Sequence, residues 1–299
     1  MLWLWVLAGV AVLVFLECIR EVHTFRVTHY QIPSPKLCGA RKHTIILLSD
    51  LHGQSYGRQN EILLQAIRGQ NPEAILIAGD MLVGSKMKSP QVAEDFVKAL
   101  VDICPVYYAN GNHEQRLKEA WEIPGTDYLA YRQSLIDAGV QYLENTKAEF
   151  SWDGVAVDVY GLELANEMFA KFRRCQLPQD YMERALGAAD DGNYNILIAH
   201  NPVYAKEYAA WGADLTVSGH LHGGIVRIPF WRGVISPQGR LFPKHSGELR
   251  MVDQMAMVVS KGIGIHTIKL RFFNPAEVVV LHVGNSEGQD GNTGKIRSV

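Results

Sequence analysis

The chain has 299 residues, 47% of them hydrophobic and 20% charged, enough apolar material for one large folded unit with its own core. A formal net charge of −2 gives no overall basic field of the kind that recruits nucleic acid, and no nucleic-acid partner is expected. The four cysteines, Cys18, Cys38, Cys104 and Cys175, are scattered without a CxxC pair, which excludes a zinc knuckle and leaves them as free thiols.

In chain order, the first element is apolar. Leu2 to Leu16 carries no charged residue, and Glu17 interrupts before Cys18-Ile19. A helix of eighteen residues covers about 27 Å, just enough for a thin bilayer. A cleaved signal peptide would need basic residues before the apolar run and a small-x-small site after it. Only the α-amine precedes this run, and Glu17-Cys18-Ile19-Arg20-Glu21 is a poor cleavage site. Residues 1–21 are therefore read as a single-pass transmembrane anchor, with Trp3 and Trp5 at the interface. Arg20, Arg26, Lys36, Arg41 and Lys42 all follow the span, so the positive-inside rule predicts a cell-membrane protein whose main body is cytoplasmic.

Residues 22–43, with Pro33, Pro35 and Gly39, read as a lead-in linker, and 44–283 as the catalytic domain. Within it, strand and helix patterns alternate. Glu61 to Ile67 has helical spacing, and Ser89-Pro90 predicts a helix start followed by Val92, Phe96, Val97, Leu100 and Val101 on one face. A further helix is expected over 127–138, a strand at Gln141–Leu143, and a hairpin on Asp153-Gly154. Helices are expected at Tyr181–Ala189 and Pro202–Trp211, and a strand at Glu277–Val283. Residues 284–299, rich in Gly, Asn and Ser, are expected to be a disordered tail.

Five short polar motifs punctuate this pattern: Asp50-Leu51-His52, Gly79-Asp80, Gly111-Asn112-His113-Glu114, His200-Asn201-Pro202 and Gly219-His220-Leu221-His222. Each follows a short apolar run that reads as a buried strand, such as Ile45–Leu48 before Asp50 or Ile196–Ala199 before His200. Strand C-terminal ends are where α/β sheets open a crevice for ligands. Taken alone, an Asp-x-His or a Gly-Asp at a strand end is usually only a turn. Together the motifs supply carboxylate and imidazole without thiolate, a donor set that suits Mn²⁺, Fe or Zn²⁺ and is too nitrogen-rich for Mg²⁺ or Ca²⁺. Two cations about 3.5–4 Å apart can share a water that is deprotonated near neutral pH and lies in line with a bound phosphorus. A histidine outside the ligand set would then protonate the leaving oxygen.

The order and wording of these motifs, SDLHG, GD, GNHE and GHLHGG, resemble the calcineurin-like metallophosphoesterases. The resemblance implies an α/β fold of two mixed β-sheets packed as a sandwich flanked by helices. It also implies a ligand set. Asp50, His52 and His222 correspond to ligands of one metal, and Asn112, His200 and His220 to ligands of the other, with Asp80 bridging. His113 corresponds to the histidine beside the leaving group, with Glu114 orienting it. The N-terminal anchor, with Ser260-Lys261-Gly262-Ile263-Gly264 and Phe272-Phe273-Asn274-Pro275, is similar to the small membrane-anchored bacterial branch, which includes enzymes that cleave a UDP-linked lipid A precursor. Val203 departs from that pattern, since relatives often carry Asp there.

The stretch from Gly224 to Ser260 reads as loop-rich and holds Arg227, Phe230, Trp231, Arg232, Arg240, Phe242, Lys244, His245 and Arg250. It is either a surface excursion or a lid. As a lid, Arg240, Lys244 and His245 are the candidate substrate residues. The expected activity is hydrolysis of a phosphodiester or pyrophosphate by a metal-bound hydroxide, with two divalent ions (Mn²⁺ first, Fe or Zn²⁺ next). The substrate is expected to be lipid- or nucleotide-linked, and the protein a monomer. The competing reading is a non-catalytic, membrane-tethered binding module on the same fold.

Overall fold

The computed structural model describes residues 1–299 except 38, 40, 85–89, 121–127, 171–174, 225, 229–232, 237–238, 240, 266–270 and 285–299. Helix α1 (Leu2–His23) stands first, and nearly all of its side chains are exposed. By length and composition Trp3–His23 is long and apolar enough to cross a membrane, with a mean hydropathy of 2.0. Its Glu17 and Arg20 pair with each other at 2.6 Å.

Two six-stranded sheets follow. The first has the order β1 (Phe25–Ile32), β12 (Ala276–Val283), β2 (His43–Leu48), β3 (Ala74–Ala78), β4 (Val106–Ala109) and β5 (Gln141–Leu143). The second runs β10 (Leu249–Val252), β11 (Met255–Val259), β9 (Leu215–Ser218), β8 (Tyr194–Ala199), β7 (Val155–Leu162) and β6 (Thr146–Trp152). Each sheet is mixed, and each has a parallel centre: β2, β3 and β4 in the first, and β7, β8 and β9 in the second.

The central strands are buried on both faces, and in β3 and β4 they read as unbroken runs of Ala, Ile, Leu, Val and Tyr. In β2, Ile45 and Leu47 face the layer between the sheets, where they meet Leu76, Ile196, Ile198 and Val217. Ile46 and Leu48 face outward, into a layer shared with α2 (Glu61–Arg68), α3 (Gln91–Val101) and α5 (Tyr128–Asp137). The second sheet is covered on its outer face by α6 (Tyr181–Leu186) and α7 (Ala205–Trp211), around Tyr204 and Tyr208. The result is the expected sandwich of two mixed sheets flanked by helices.

Several sequence expectations change in detail. Within the stretch expected as a lead-in over 22–43, Phe25–Ile32 is part of the sheet, since all eight residues of β1 pair with β12. The α3 face is carried by Ala93, Phe96, Val97 and Leu100, while Val92 is exposed. The expected Ser89 cap lies outside the described residues, as does the expected tail beyond Gly284. The helix expected at Tyr181–Ala189 ends at Leu186, where Gly187 takes a φ of +75°. Part of the stretch read as loop-rich is an antiparallel hairpin of β10 and β11 that joins the second sheet.

Candidate metal centre

The parallel centres of the two sheets point their C-terminal ends at one place. The loop after β2 carries Asp50 and His52, the loop after β3 carries Asp80, and β4 leads into Asn112 at the first position of α4 (Asn112–Glu119). From the other sheet, β8 leads to His200 and β9 to His220 and His222. Backbone bonds sew the ends together. Asp50 N donates to Gly79 O at 3.0 Å, and His220 N donates to both carboxylate oxygens of Asp50 at 3.1 and 3.2 Å, across the two sheets. The approach is close enough to require glycine at two motif positions. A Cβ on Gly219 would lie 2.3 Å from Asp50 Oδ2, and one on Gly111 would lie 2.2 Å from Asp80 Oδ1.

Five of these residues hold left-handed backbone: Asp50, His52, Asp80, His220 and His222, with φ between +48° and +69°. Non-glycine residues there cost about 1–3 kcal/mol each and collect at functional sites. Such strain persists only where the surrounding structure imposes it.

Among the described residues three groups of side chains result, one of them His52, Asp80 and His113. Asp50, His52 and His222 bring their ligand atoms within 4.8 Å of one another, and so do Asp80, His200 and His220. His222 Nε2 lies 3.3 Å from Asp50 Oδ1, and His200 Nε2 lies 3.1 Å from Asp80 Oδ2 and 3.9 Å from Asp50 Oδ1. The groups therefore share a wall. His220 Nε2 and Asn112 Oδ1 are buried without a hydrogen-bond partner, while His200 Nε2 faces the Asp80 carboxylate.

The tautomers follow from what each ring touches. His52 Nδ1 meets the Leu82 carbonyl at 3.1 Å, and His200 Nδ1 meets the Ala78 carbonyl. A carbonyl only accepts, so Nδ1 carries the proton in both rings and the Nε2 lone pair is left for the centre. His52 Nε2 in turn faces His222 Nε2 at 3.2 Å, two nitrogens that a shared cation or proton must reconcile. His113 is the opposite case: its Nδ1 accepts from the Gly84 N–H. The proton is thereby placed on Nε2, 3.9 Å from Asp80 Oδ2, so His113 offers a donor where the others offer lone pairs.

Charge states leave His220 and His222 neutral and His200 protonated in the absence of a cation. Burial pushes His220 and His222 well below the ordinary histidine value, helped by His200 and by His52 respectively, so both stay neutral and able to ligate. Burial would also lower His200, but the Asp80 and Asp50 carboxylates raise it to about 9, so without a cation this ring keeps a second proton at neutral pH, and that proton must leave before Nε2 can ligate. Burial raises Asp50 to about 6, against the pull of His200. Burial would raise Asp80 too, yet His200 and His113 hold it well below the usual carboxylate range. Buried carboxylates among imidazoles, with the His220 nitrogen and the Asn112 amide oxygen left unpartnered beside them, fit a divalent cation.

The sequence comparison decides the family. Residues 43–224, more than half of the chain, match the family model described as Calcineurin-like phosphoesterase. The chain belongs to that family. The phosphoesterase is similar to the uncharacterized protein YpbG of Bacillus subtilis (strain 168), at 26% identity over 254 residues, 84% of this chain and 82% of that protein. It is also similar to a Bos taurus transmembrane protein with metallophosphoesterase domain, at 26% identity over 244 residues. That match covers 79% of this chain and 52% of the bovine protein, so the chain spans about half of that relative. Among solved structures, the phosphopantetheinyl hydrolase PptH of Mycobacterium tuberculosis aligns with a TM-score of 0.47 at 13% identity, covering 78% of this chain and 96% of that one. As a family member, the chain is a phosphoric ester hydrolase with a candidate cluster of metal ligands.

The phosphoesterase brings Asp50, His52, Asp80, Asn112, His113, Glu114, His200, His220 and His222 to one buried region. Glu114 is fully buried, and its carboxylate accepts from Asp80 N, Gly111 N, Leu82 N and Tyr108 Oη at 2.8–3.0 Å. Burial and the neighbouring Asp80 raise it to about 7. Its route to His113 runs through the loop it fastens: Leu82 N–H goes to Glu114, and Gly84 N–H goes to the His113 ring. Of the proposed substrate residues, Arg240 lies outside the described residues. Lys244 is exposed, and His245 is half-buried, its pKa lowered by burial and by Arg250. Their segment is tied to the site's border, because Arg227 Nη1 donates to both Ser246 O and Gly223 O, the latter next to His222.

Three contributors escaped the sequence reading. Gly84 sets the His113 tautomer. Phe169 packs edge-on against His220 at 5.1 Å and tilted against His200 at 6.0 Å. Arg116 is exposed on α4, one turn after Asn112, and its charge is felt at His220. The signal for Arg116 was present: it stands four residues after Asn112, the spacing that shares a helix face.

Proposed function

We propose that the phosphoesterase hydrolyses a phosphodiester or pyrophosphate bond with two divalent cations, Mn²⁺ first among them. Asp50, His52 and His222 would hold one, Asn112, His200 and His220 the other, with Asp80 between. Bound there, the cations would neutralise phosphoryl oxygens and make water a nucleophile near neutral pH. The observation that carries the reading is the contrast between the rings. His52 and His200 spend Nδ1 on backbone carbonyls and turn Nε2 to the centre, while His113 accepts at Nδ1 and turns an N–H to it. His113 then gives its Nε2 proton to the leaving oxygen, and the Gly84 N–H keeps the ring in the donor tautomer. Glu114 holds the loop that makes this possible. Arg116 and Lys244 are exposed cations that can meet the rest of the substrate.

Topology supports a membrane-associated substrate, whether lipid- or nucleotide-linked. Strand β1 is parallel to β12, and β12 is antiparallel to β2. The start of β1, where α1 joins after Thr24 alone, therefore lies at the same end of the sheet as Leu48 and the residues that follow it. An anchor at that end brings the metal centre toward the bilayer surface. The bovine relative's name, a transmembrane protein, favours the same placement. The basic residues after the span favour the cytoplasmic side for residues 44–283 as the catalytic unit.

Full-length protein in detergent, stripped and then reloaded with Mn²⁺, Zn²⁺ or Mg²⁺, tests this with bis-p-nitrophenyl phosphate beside p-nitrophenyl phosphate. Metal-dependent turnover that favours the diester is expected, and it should vanish in Asp80→Asn. No bound metal and no turnover on either ester would make the tethered binding module the better reading.

A further inference from the structure

Along the exposed helix α1, one acidic side chain is an exception. Glu21, in the last turn, is only 2% exposed, although it ends an apolar segment. A carboxylate in such a place needs a partner. Its Oε2 accepts the backbone N–H of Asn274 at 2.9 Å. Asn274 precedes β12 by two positions, and the β1–β12 register pairs Phe25 with Ala276, so the chain geometry itself sets the end of α1 beside this residue.

Asn274 is a clamp. Its Nδ2 donates to His222 O at 2.7 Å and to Gly224 O at 2.8 Å. Its own carbonyl accepts from Arg271 Nη1 at 3.0 Å. Gly223, between the two clamped carbonyls, lies so close that a Cβ there would sit 2.1 Å from Asn274 Oδ1. The fully buried Arg271 extends the frame, with Nη2 donating to the carbonyls of Lys261, Gly262 and Gly264. That loop in turn holds the other side of the centre: Gly264 N donates to Asp50 O at 2.7 Å, and Ile263 N donates to Ser49 O at 3.0 Å. Asp50 and His222 are thus fixed by a set of bonds whose outermost member is on the anchor helix.

We propose that Glu21 is a positioning residue of the metal centre: by fixing Asn274, it holds the backbone that presents His222 beside Asp50 and His52. The anchor helix is then a structural part of one cation site, and the two cannot be separated without loosening that site. This rests on the metal reading above. Removing such outer supports typically weakens metal binding roughly 10–100-fold.

The test is Mn²⁺ titration of the stripped full-length protein in detergent micelles, by calorimetry with elemental analysis. Glu21→Ala should weaken one of two sites by roughly tenfold or more and leave the other unchanged. Glu21→Gln, whose amide oxygen still accepts the Asn274 N–H, should bind as the wild type does. Asn274→Ala keeps the Glu21 contact but loses the clamp, and should reproduce the loss; combined with Glu21→Ala it should add little, as members of one network do. Wild-type affinities in both Ala variants would overturn the proposal. So would equal weakening at both sites with no rescue by Gln, which marks general destabilisation. A wild-type protein that binds no Mn²⁺ would overturn the metal reading itself, and this proposal with it.

Discussion

Glu114→Ala is the substitution whose cost can be worked from the structure. The carboxylate is fully buried and accepts three backbone N–H groups, from Asp80, Leu82 and Gly111, as well as the Tyr108 hydroxyl. The hydroxyl has an alternative partner in Tyr131 Oη at 3.4 Å, whereas the three amides lose theirs. A buried donor without an acceptor costs about 1–3 kcal/mol, so at the lower value the three together cost about 3 kcal/mol. At about 2–4 °C per kcal/mol for a large domain, the melting temperature should fall by about 6–12 °C. Glu114→Gln should cost less than half of that. Its amide NH₂ can face the Leu82 and Tyr108 side, where the hydroxyl can turn to accept and only one N–H loses its partner. Both are read by thermal unfolding of the metal-free protein followed by near-UV circular dichroism. A drop of less than about 3 °C for Ala, or equal drops for the two, would refute the idea that this carboxylate fastens the loops of the site.

Other outcomes follow from the same geometry. Asp80→Asn and His113→Ala should each remove most turnover, but elemental analysis should find metal lost only from Asp80→Asn. Equal loss in both would remove the proton-donor role of His113. Replacing Arg116 and Lys244 together by Ala should raise KM for an anionic diester with metal content unchanged, and an unaltered KM would discard them as substrate contacts. Glu144 provides a pH test away from the centre. Burial would raise its pKa, but Lys118, Tyr128 and Arg132 hold it below the ordinary 4.5. A depressed carboxylate stabilises the fold above its unfolded pKa and loses that contribution as pH falls through the folded value. Glu144→Gln should therefore lower the melting temperature at pH 7, and the gap to wild type should close at pH values below 4.5. A gap independent of pH would contradict the ion-pair account.

The site was more legible than the frame around it. Asp50, Asp80 and His200 follow short, largely apolar runs bounded by a polar residue or Gly, and their length and β-branched content read as buried strands. Strand β1 was missed because it alternates polar and apolar residues, is only half-buried and ends beside Pro33, which together read as linker. The β10–β11 hairpin was missed because its turn, at Asp253-Gln254, lacks the glycine that usually marks one, although Asp253 takes a φ of +52°. Helix α4 has one buried apolar residue, Leu117, so no stripe announced it; Glu114 starts it by accepting the Gly111 N–H. The roles of Gly84, Phe169 and Asn274 depend on contacts made across the fold. No local pattern around these residues encodes such a contact.

The account stands most directly on where cations bind. Anomalous difference maps from crystals of the full-length protein loaded with Mn²⁺ would locate them. We predict two peaks, one contacted by Asp50, His52 and His222 and the other by Asn112, His200 and His220, with the Asp80 carboxylate between them and His113 outside both. A single peak, or one ligated by His113 Nε2, would contradict the division between lone-pair donors and proton donor on which the mechanism depends.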